Sequence, residues 1–225
     1  MKKITDREEE LKKDFNAFLE KHLKSIPDQN DFYNELGIEG VLKLKNVVSS
    51  INNIITLKTT LCFVKGISGL LRADFSKMKT KVEEQNANAN GFDFYYTGED
   101  YKIVAEVKCN IPCGRDNMAF GSQQKEGIIS DLEHLLKGKP NYPTDGFYKF
   151  MVLLEVGKGA MDKLLTTSPQ KNVSNDSFAK RIDRMKSQLD TQYLHVSDLP
   201  QPLDINNVYV VYVSPQELVE YKEES

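Results

Sequence analysis

Two unbroken apolar runs in the second half of the chain constrain the fold most. The first occupies residues 150–154 within the segment 147–156, and the second occupies residues 207–213. Continuous apolar sequence of this kind is typical of strands that are covered on both faces of a sheet. Helical patterns lie before and between the runs. The sequence therefore predicts an α/β fold with a mixed central sheet flanked by helices.

The N-terminal part of the chain has a different pattern. Leu11, Phe15 and Phe18 follow one another at helical spacing within residues 1–25, and a second helical pattern extends from residue 32 to residue 60. We therefore expect residues 1–60 to form a helical region packed on an α/β core of residues 61–225, together making one structural domain.

Composition limits the classes of protein to which the chain can belong. Its 225 residues include 30 Lys and Arg, 33 Asp and Glu, and three Cys, with a net charge of −3. No uninterrupted apolar run approaches the roughly 18 residues that a membrane-spanning helix needs. The N-terminus lacks the apolar stretch of a signal peptide, and the odd number of cysteines does not suggest a disulfide framework. We expect a cytoplasmic protein without a membrane partner.

The most informative segment is a predicted β-hairpin. Residues 92–96 and 101–109 alternate between apolar and polar types around a glycine-containing turn. Gly98 and Glu99 are the expected central residues of a two-residue turn. This choice fixes the expected pairing of the two strands, and with it the side chains that share a face.

In that register Asp93 pairs with Val104, and Glu106 lies one diagonal step away, a Cα separation of about 7–8 Å. Lys108 is the next residue on the same face. Two carboxylates near a low-dielectric interior repel each other, and their burial is costly without a partner. A divalent cation resolves the conflict, since Mg²⁺ prefers oxygen ligands and can activate water for attack on phosphorus.

These residues carry a resemblance to a known family. Gly91-Phe92-Asp93, followed after the hairpin by Glu106-Val107-Lys108, resembles the motif of the PD-(D/E)xK nuclease superfamily, which includes type II restriction endonucleases. Phe92 stands where the family usually has proline. The resemblance implies a restriction endonuclease-like αβββαβ core over about residues 78–156, with residues 79–83 as the first strand.

The resemblance also implies a reaction. Asp93 and Glu106 would bind Mg²⁺, for which Mn²⁺ can substitute, together with the carbonyl of Val107. Lys108 would act on the nucleophilic water. The implied protein is a Mg²⁺-dependent deoxyribonuclease, a type II restriction endonuclease that cleaves DNA and is expected to form a homodimer. The alternative is a catalytically inactive nuclease-fold protein that serves as a nucleic-acid-binding or interaction module.

Further site residues are expected around the start of the helix predicted at residues 122–137, for which Ser122 is the expected cap. The free N–H groups of a first helical turn favour phosphate, so Gln124 and Lys125 are candidate DNA phosphate contacts, as is the nearby Arg115. The sequence does not identify a third metal-binding acid, for which the candidates are Glu35, Glu39, Glu83 and Glu84.

Overall fold

The computed structural model describes residue 6 and residues 32–84, 91–112, 119–167 and 177–221. The chain divides into two compact units, Met1–Leu57 and Lys58–Ser225. The helix expected within residues 1–25 lies outside the described residues, apart from residue 6, which is helical.

The described ranges contain both helices and strands. The helices are α1 (Phe32–Leu71), α2 (Phe75–Glu84), α3 (Ser122–Lys137), α4 (Lys158–Thr166), α5 (Phe178–Met185) and α6 (Pro215–Glu220). The strands are β1 (Phe94–Thr97), β2 (Lys102–Lys108), β3 (Tyr148–Leu154), β4 (Leu189–Asp190) and β5 (Val208–Val213).

The five strands form one mixed sheet in the order β1-β2-β3-β5-β4. β1 pairs with β2 in antiparallel orientation, whereas the β2–β3, β3–β5 and β4–β5 pairs are parallel. The predicted α/β class with a mixed central sheet is therefore confirmed.

Helix α1 is longer than the sequence pattern indicated. It continues to Leu71 and is broken at Gly37, whose φ of 58° is not helical. Its segment Gly37–Leu71 is long and apolar enough to cross a membrane by length and composition, and half of the qualifying window is buried within the protein. Counting uninterrupted apolar residues did not detect this segment. Buried core helices of soluble proteins meet the same criterion, so it does not establish a membrane span.

The hairpin register differs from the expected one by two residues. Thr97 pairs with Lys102, so the loop has four residues and closes with a 2.9 Å hydrogen bond from the Gly98 N–H to the Tyr101 carbonyl. The prediction of a two-residue turn is therefore wrong. Because side chains alternate with a period of two, the shift leaves each residue on its expected face.

The prediction of a strand at residues 79–83 is also wrong, because these residues belong to helix α2. Met78 and Val82 are buried one helical turn apart, and Lys79 pairs with Glu83 at 3.8 Å along the same helix. Within the described residues the order is therefore α2-β1-β2-α3-β3, which lacks the first of the three strands expected before α3.

Both faces of the sheet are covered. On one face Val104, Met151 and Val210 join Leu132 of α3 and Ile182 of α5 in a buried cluster. On the other face the Phe150 ring packs against two aromatic rings, with centroid distances of 5.1 Å to Phe63 and 5.8 Å to Tyr209. Charged residues on the inner strands therefore lie in a largely dry environment.

Candidate functional site

Glu106 is the buried carboxylate at the centre of the candidate site. It lies in β2 and is 3% exposed. Burial raises its pKa to about 8, and the negative charges of Asp131 and Asp93 add to the effect, while Lys139 opposes it. A carboxylate in this position is costly in its ionised form unless cations compensate it.

Asp93 lies directly before β1 and continues the line of that strand. Its Oδ2 accepts a 2.7 Å hydrogen bond from the backbone N–H of Val107 in β2. Continuing the observed register by one residue places Asp93 opposite Glu106 rather than diagonal to it. The shift of two residues in the hairpin therefore brings the two acids closer than the sequence predicted.

Lys108, the last residue of β2, forms an ion pair with Asp131 of α3. Burial acts to lower the pKa of the Lys108 ammonium. The negative charges of Asp131, Asp93 and Glu106 outweigh burial, so its pKa is raised above the ordinary value. The acids around it therefore favour the charged form of Lys108.

A second lysine, Lys139, contacts Glu106 directly. Its Nζ lies 2.5 Å from Glu106 Oε1 and donates a 2.7 Å hydrogen bond to the carbonyl of Gly91. The same ammonium lies 4.6 Å from the centre of the Phe92 ring, within range of a cation–π contact. Lys139 thus contacts Gly91 and Phe92, the two residues before Asp93, as well as Glu106 in β2.

The turn after α3 holds Lys139 in place. Gly138 ends the helix at a φ of 83°, a conformation that glycine adopts readily. Lys139 and Tyr142 then exchange two backbone hydrogen bonds of 3.1 and 2.9 Å. The hydroxyl of Tyr95 donates a 2.9 Å hydrogen bond to the Pro143 carbonyl, so this turn is tied to β1.

The buried acid oxygens are not fully satisfied by these contacts. Glu106 Oε1 and Asp131 Oδ2 have no hydrogen bond of acceptable geometry, although Lys139 and Lys108 lie close to them. Both contacts are therefore close charge pairs without good hydrogen-bond alignment. The cation position beside Glu106 Oε1 is thus occupied by the Lys139 ammonium.

The three expected phosphate contacts, Gln124, Lys125 and Arg115, have different outcomes in the structure. The Gln124 side chain accepts a 2.9 Å hydrogen bond from the Gly121 N–H and donates a 3.2 Å bond to the Ile111 carbonyl. Its amide is thus engaged in holding the start of α3, where Gly121, not the expected Ser122, is the cap residue. Lys125 is half-buried in the same first turn, and Arg115 lies outside the described residues.

Two residues of the cluster, Asp131 and Lys139, are absent from the sequence-based prediction. Asp131 carried a signal, because it lies on the apolar stripe formed by Ile128, Leu132 and Leu135 of α3. An acid on such a stripe must face the core or its edge. Lys139 carried no signal of this kind, since its position depends on the turn that follows the helix.

Two of the four acids proposed as a third ligand carry other partners. Glu83 and Glu84 pair along α2 with Lys79 and Lys81, at 3.8 and 3.7 Å. Glu39 is exposed on α1, and nothing is described of the Glu35 side chain. Asp131 is the acid that accompanies Asp93 and Glu106.

Within the described ranges, no group of three or more His, Cys, Asp and Glu side chains is arranged to hold a metal ion. In comparisons with known proteins, no family model, no curated protein and no solved structure matches the chain. The functional interpretation of the candidate site therefore rests on the geometry and chemistry of its residues.

Proposed function

We propose that the chain is a metal-dependent nuclease of the PD-(D/E)xK type that hydrolyses DNA phosphodiester bonds. The observation that carries the proposal is the buried Glu106, which shares its surroundings with Asp93 and Asp131 while the Lys108 ammonium lies beside them. A structural ion pair needs one acid and one base. Glu106 pairs with Lys139 and Asp131 with Lys108, and Asp93 adds a further carboxylate beside them.

The donor atoms suit Mg²⁺ in their chemistry. Carboxylate oxygens are its preferred protein ligands, and Glu106 Oε1 is a buried oxygen without a good hydrogen bond. Asp93 and Glu106 would hold the ion, with the Val107 carbonyl as the further ligand that the motif implies. The bound ion would lower the pKa of a coordinated water and so supply the nucleophile.

The chain's own residues have separable roles in this proposal. Asp93 fixes the motif strand by accepting the Val107 N–H, which orients the neighbouring Glu106. Lys108, held by Asp131 as a cation, would stabilise the negative charge that develops on the phosphoryl oxygens. This role differs from deprotonation of the water, for which a lowered pKa would be needed. Lys125 remains a proposed contact to a DNA phosphate.

The fold supports the proposal in part. The hairpin, α3 and the parallel strand β3 follow in the order that the superfamily core requires, and the site lies where β2 faces α3. The missing first strand is a departure from the αβββαβ order. A type II restriction endonuclease, working as a homodimer on duplex DNA, is the subtype we propose.

A second candidate has its own supporting observation. Lys139 and Lys108 already compensate Glu106 and Asp131, so the cluster can exist without a metal. A non-cleaving protein with this fold would serve as a nucleic-acid-binding or interaction module. It would bind its partner equally well in the presence of a chelator.

Cleavage of supercoiled plasmid and mixed genomic DNA with Mg²⁺ or Mn²⁺ tests the proposal. Asp93→Asn and Lys108→Met should each lower the rate at least about 100-fold, since each removes a group that acts on the reacting phosphate or its ligand. Asp100→Asn is the matched control, because Asp100 is exposed in the hairpin loop. It should cleave like the unmodified protein.

Discrete bands that disappear with EDTA and in both site variants would support a sequence-specific endonuclease. A smear with the same dependence would support a nuclease without the restriction specificity. Absence of cleavage, with DNA binding in a gel-shift assay that EDTA leaves unchanged, would favour the binding module instead.

A further inference from the structure

Lys139 is held by three different contacts around one ammonium group. These are the 2.5 Å ion pair to Glu106 Oε1, the 2.7 Å hydrogen bond to the Gly91 carbonyl and the Phe92 ring at 4.6 Å. Its side chain is only 16% exposed. Such a set of partners, an acid oxygen, a carbonyl oxygen and a ring face, is one that attracts a cation.

The formal charges of the cluster show how the Lys139 ammonium would affect the binding of a divalent cation. With all five side chains ionised, the three carboxylates and two ammonium groups of Asp93, Glu106, Asp131, Lys108 and Lys139 leave one formal negative charge. A divalent cation added to this set would leave a net positive charge in a buried place, which is unfavourable. With one ammonium removed, the divalent cation would leave the set neutral.

We infer that Lys139 occupies the cation position beside Glu106 and that a divalent metal ion binds there by displacing it. Of the two lysines, Lys139 is the one in contact with Glu106, whereas Lys108 pairs with Asp131. Lys139 also lies in the turn beyond α3, on a flexible side chain that can carry its charge towards solvent. The inference rests on the proposed function, since it concerns the metal of that site.

Lys139 is a positioning residue in this scheme rather than a catalytic one. It would keep the buried acids compensated while no metal is bound. It would also set how much free metal is needed to activate the site, because its release is part of every binding event. Removal of its charge should therefore strengthen metal binding, in contrast to removal of an acid.

Calorimetric titration of the full chain with Mg²⁺ and with Ca²⁺ at pH 9, above the raised pKa of Glu106, tests this inference. Lys139→Met removes the charge and keeps most of the side-chain volume. Lys139→Gln is the second variant, because its amide can still donate to the Gly91 carbonyl. Lys137→Met is the matched control, since Lys137 lies two residues earlier and is exposed. Asp93→Asn reports whether binding occurs at the proposed site.

Both Lys139 variants should bind the ion at least about tenfold more tightly than the unmodified protein, with Lys137→Met unchanged. Equal or weaker binding by the Lys139 variants, with binding still lost in Asp93→Asn, would overturn the inference and leave the proposed metal site standing. Binding by the Lys139 variants alone would show that Lys139 excludes the ion from the unmodified chain and is not displaced by it, which would overturn the inference. Absence of binding by every variant would overturn both proposals.

Discussion

Replacing Glu106 by glutamine should change how the stability of the protein depends on pH. The pKa of Glu106 is raised from 4.5 to about 8. Between these two values the unfolded chain releases the proton while the folded chain keeps it, so the free energy of unfolding falls as pH rises. Each pH unit is worth about 1.4 kcal/mol, which gives a total of up to about 5 kcal/mol. Glutamine, which does not titrate, removes this loss.

The assay is urea unfolding followed by far-ultraviolet circular dichroism in EDTA, from pH 4.5 to pH 9. The advantage of Glu106→Gln over the unmodified protein should grow between pH 4.5 and pH 8 and stay constant above pH 8. Glu99→Gln is the control, because Glu99 is an exposed acid of the hairpin loop. A difference that stays within about 0.5 kcal/mol across the range would contradict the raised pKa and show that the lysines keep Glu106 ionised.

Three further predictions concern the elements that hold the site. Gly138→Ala should lower the free energy of unfolding in urea by about 1–3 kcal/mol, because its Cβ would lie 3.0 Å from the Tyr142 carbonyl oxygen at a φ of 83°; no loss would contradict the described turn. Arg181→Met should lower the free energy of unfolding by about 1–2 kcal/mol, because the 3.0 Å ion pair between Arg181 and Glu133 joins α5 to α3. The loss should be smaller in 1 M salt. A loss that does not change with salt would contradict a charge effect. Phe150→Ala should cost about 3–5 kcal/mol in the same assay, because a fully buried ring is removed from the sheet; a loss below about 1 kcal/mol would contradict its place in the core.

The sequence was sufficient to predict the parts of the fold that depend on local pattern. Helix α3 has the predicted limits, and both apolar runs are strands of the sheet. The faces of the hairpin were also predictable, because alternation survives a shift of two residues. The turn length was not, since Gly98 is compatible with two-residue and four-residue loops alike.

The failures have tertiary causes. Residues 79–83 alternate in polarity like a strand, but Met78 and Val82 also have helical spacing, and the helix is the element that buries both. The site was incomplete for a related reason. Lys139 reaches Glu106 from a turn that follows α3, and no local pattern in the sequence links residues 33 positions apart.

The proposed function requires that the acids around Glu106 bind a divalent cation. Crystals grown with Mn²⁺, with anomalous scattering recorded, would locate this ion. We expect an anomalous peak about 2.1 Å from oxygens of Asp93 and Glu106, with the Lys139 ammonium withdrawn from Glu106. A map without a peak at this place, and with Lys139 still against Glu106 at saturating Mn²⁺, would contradict it.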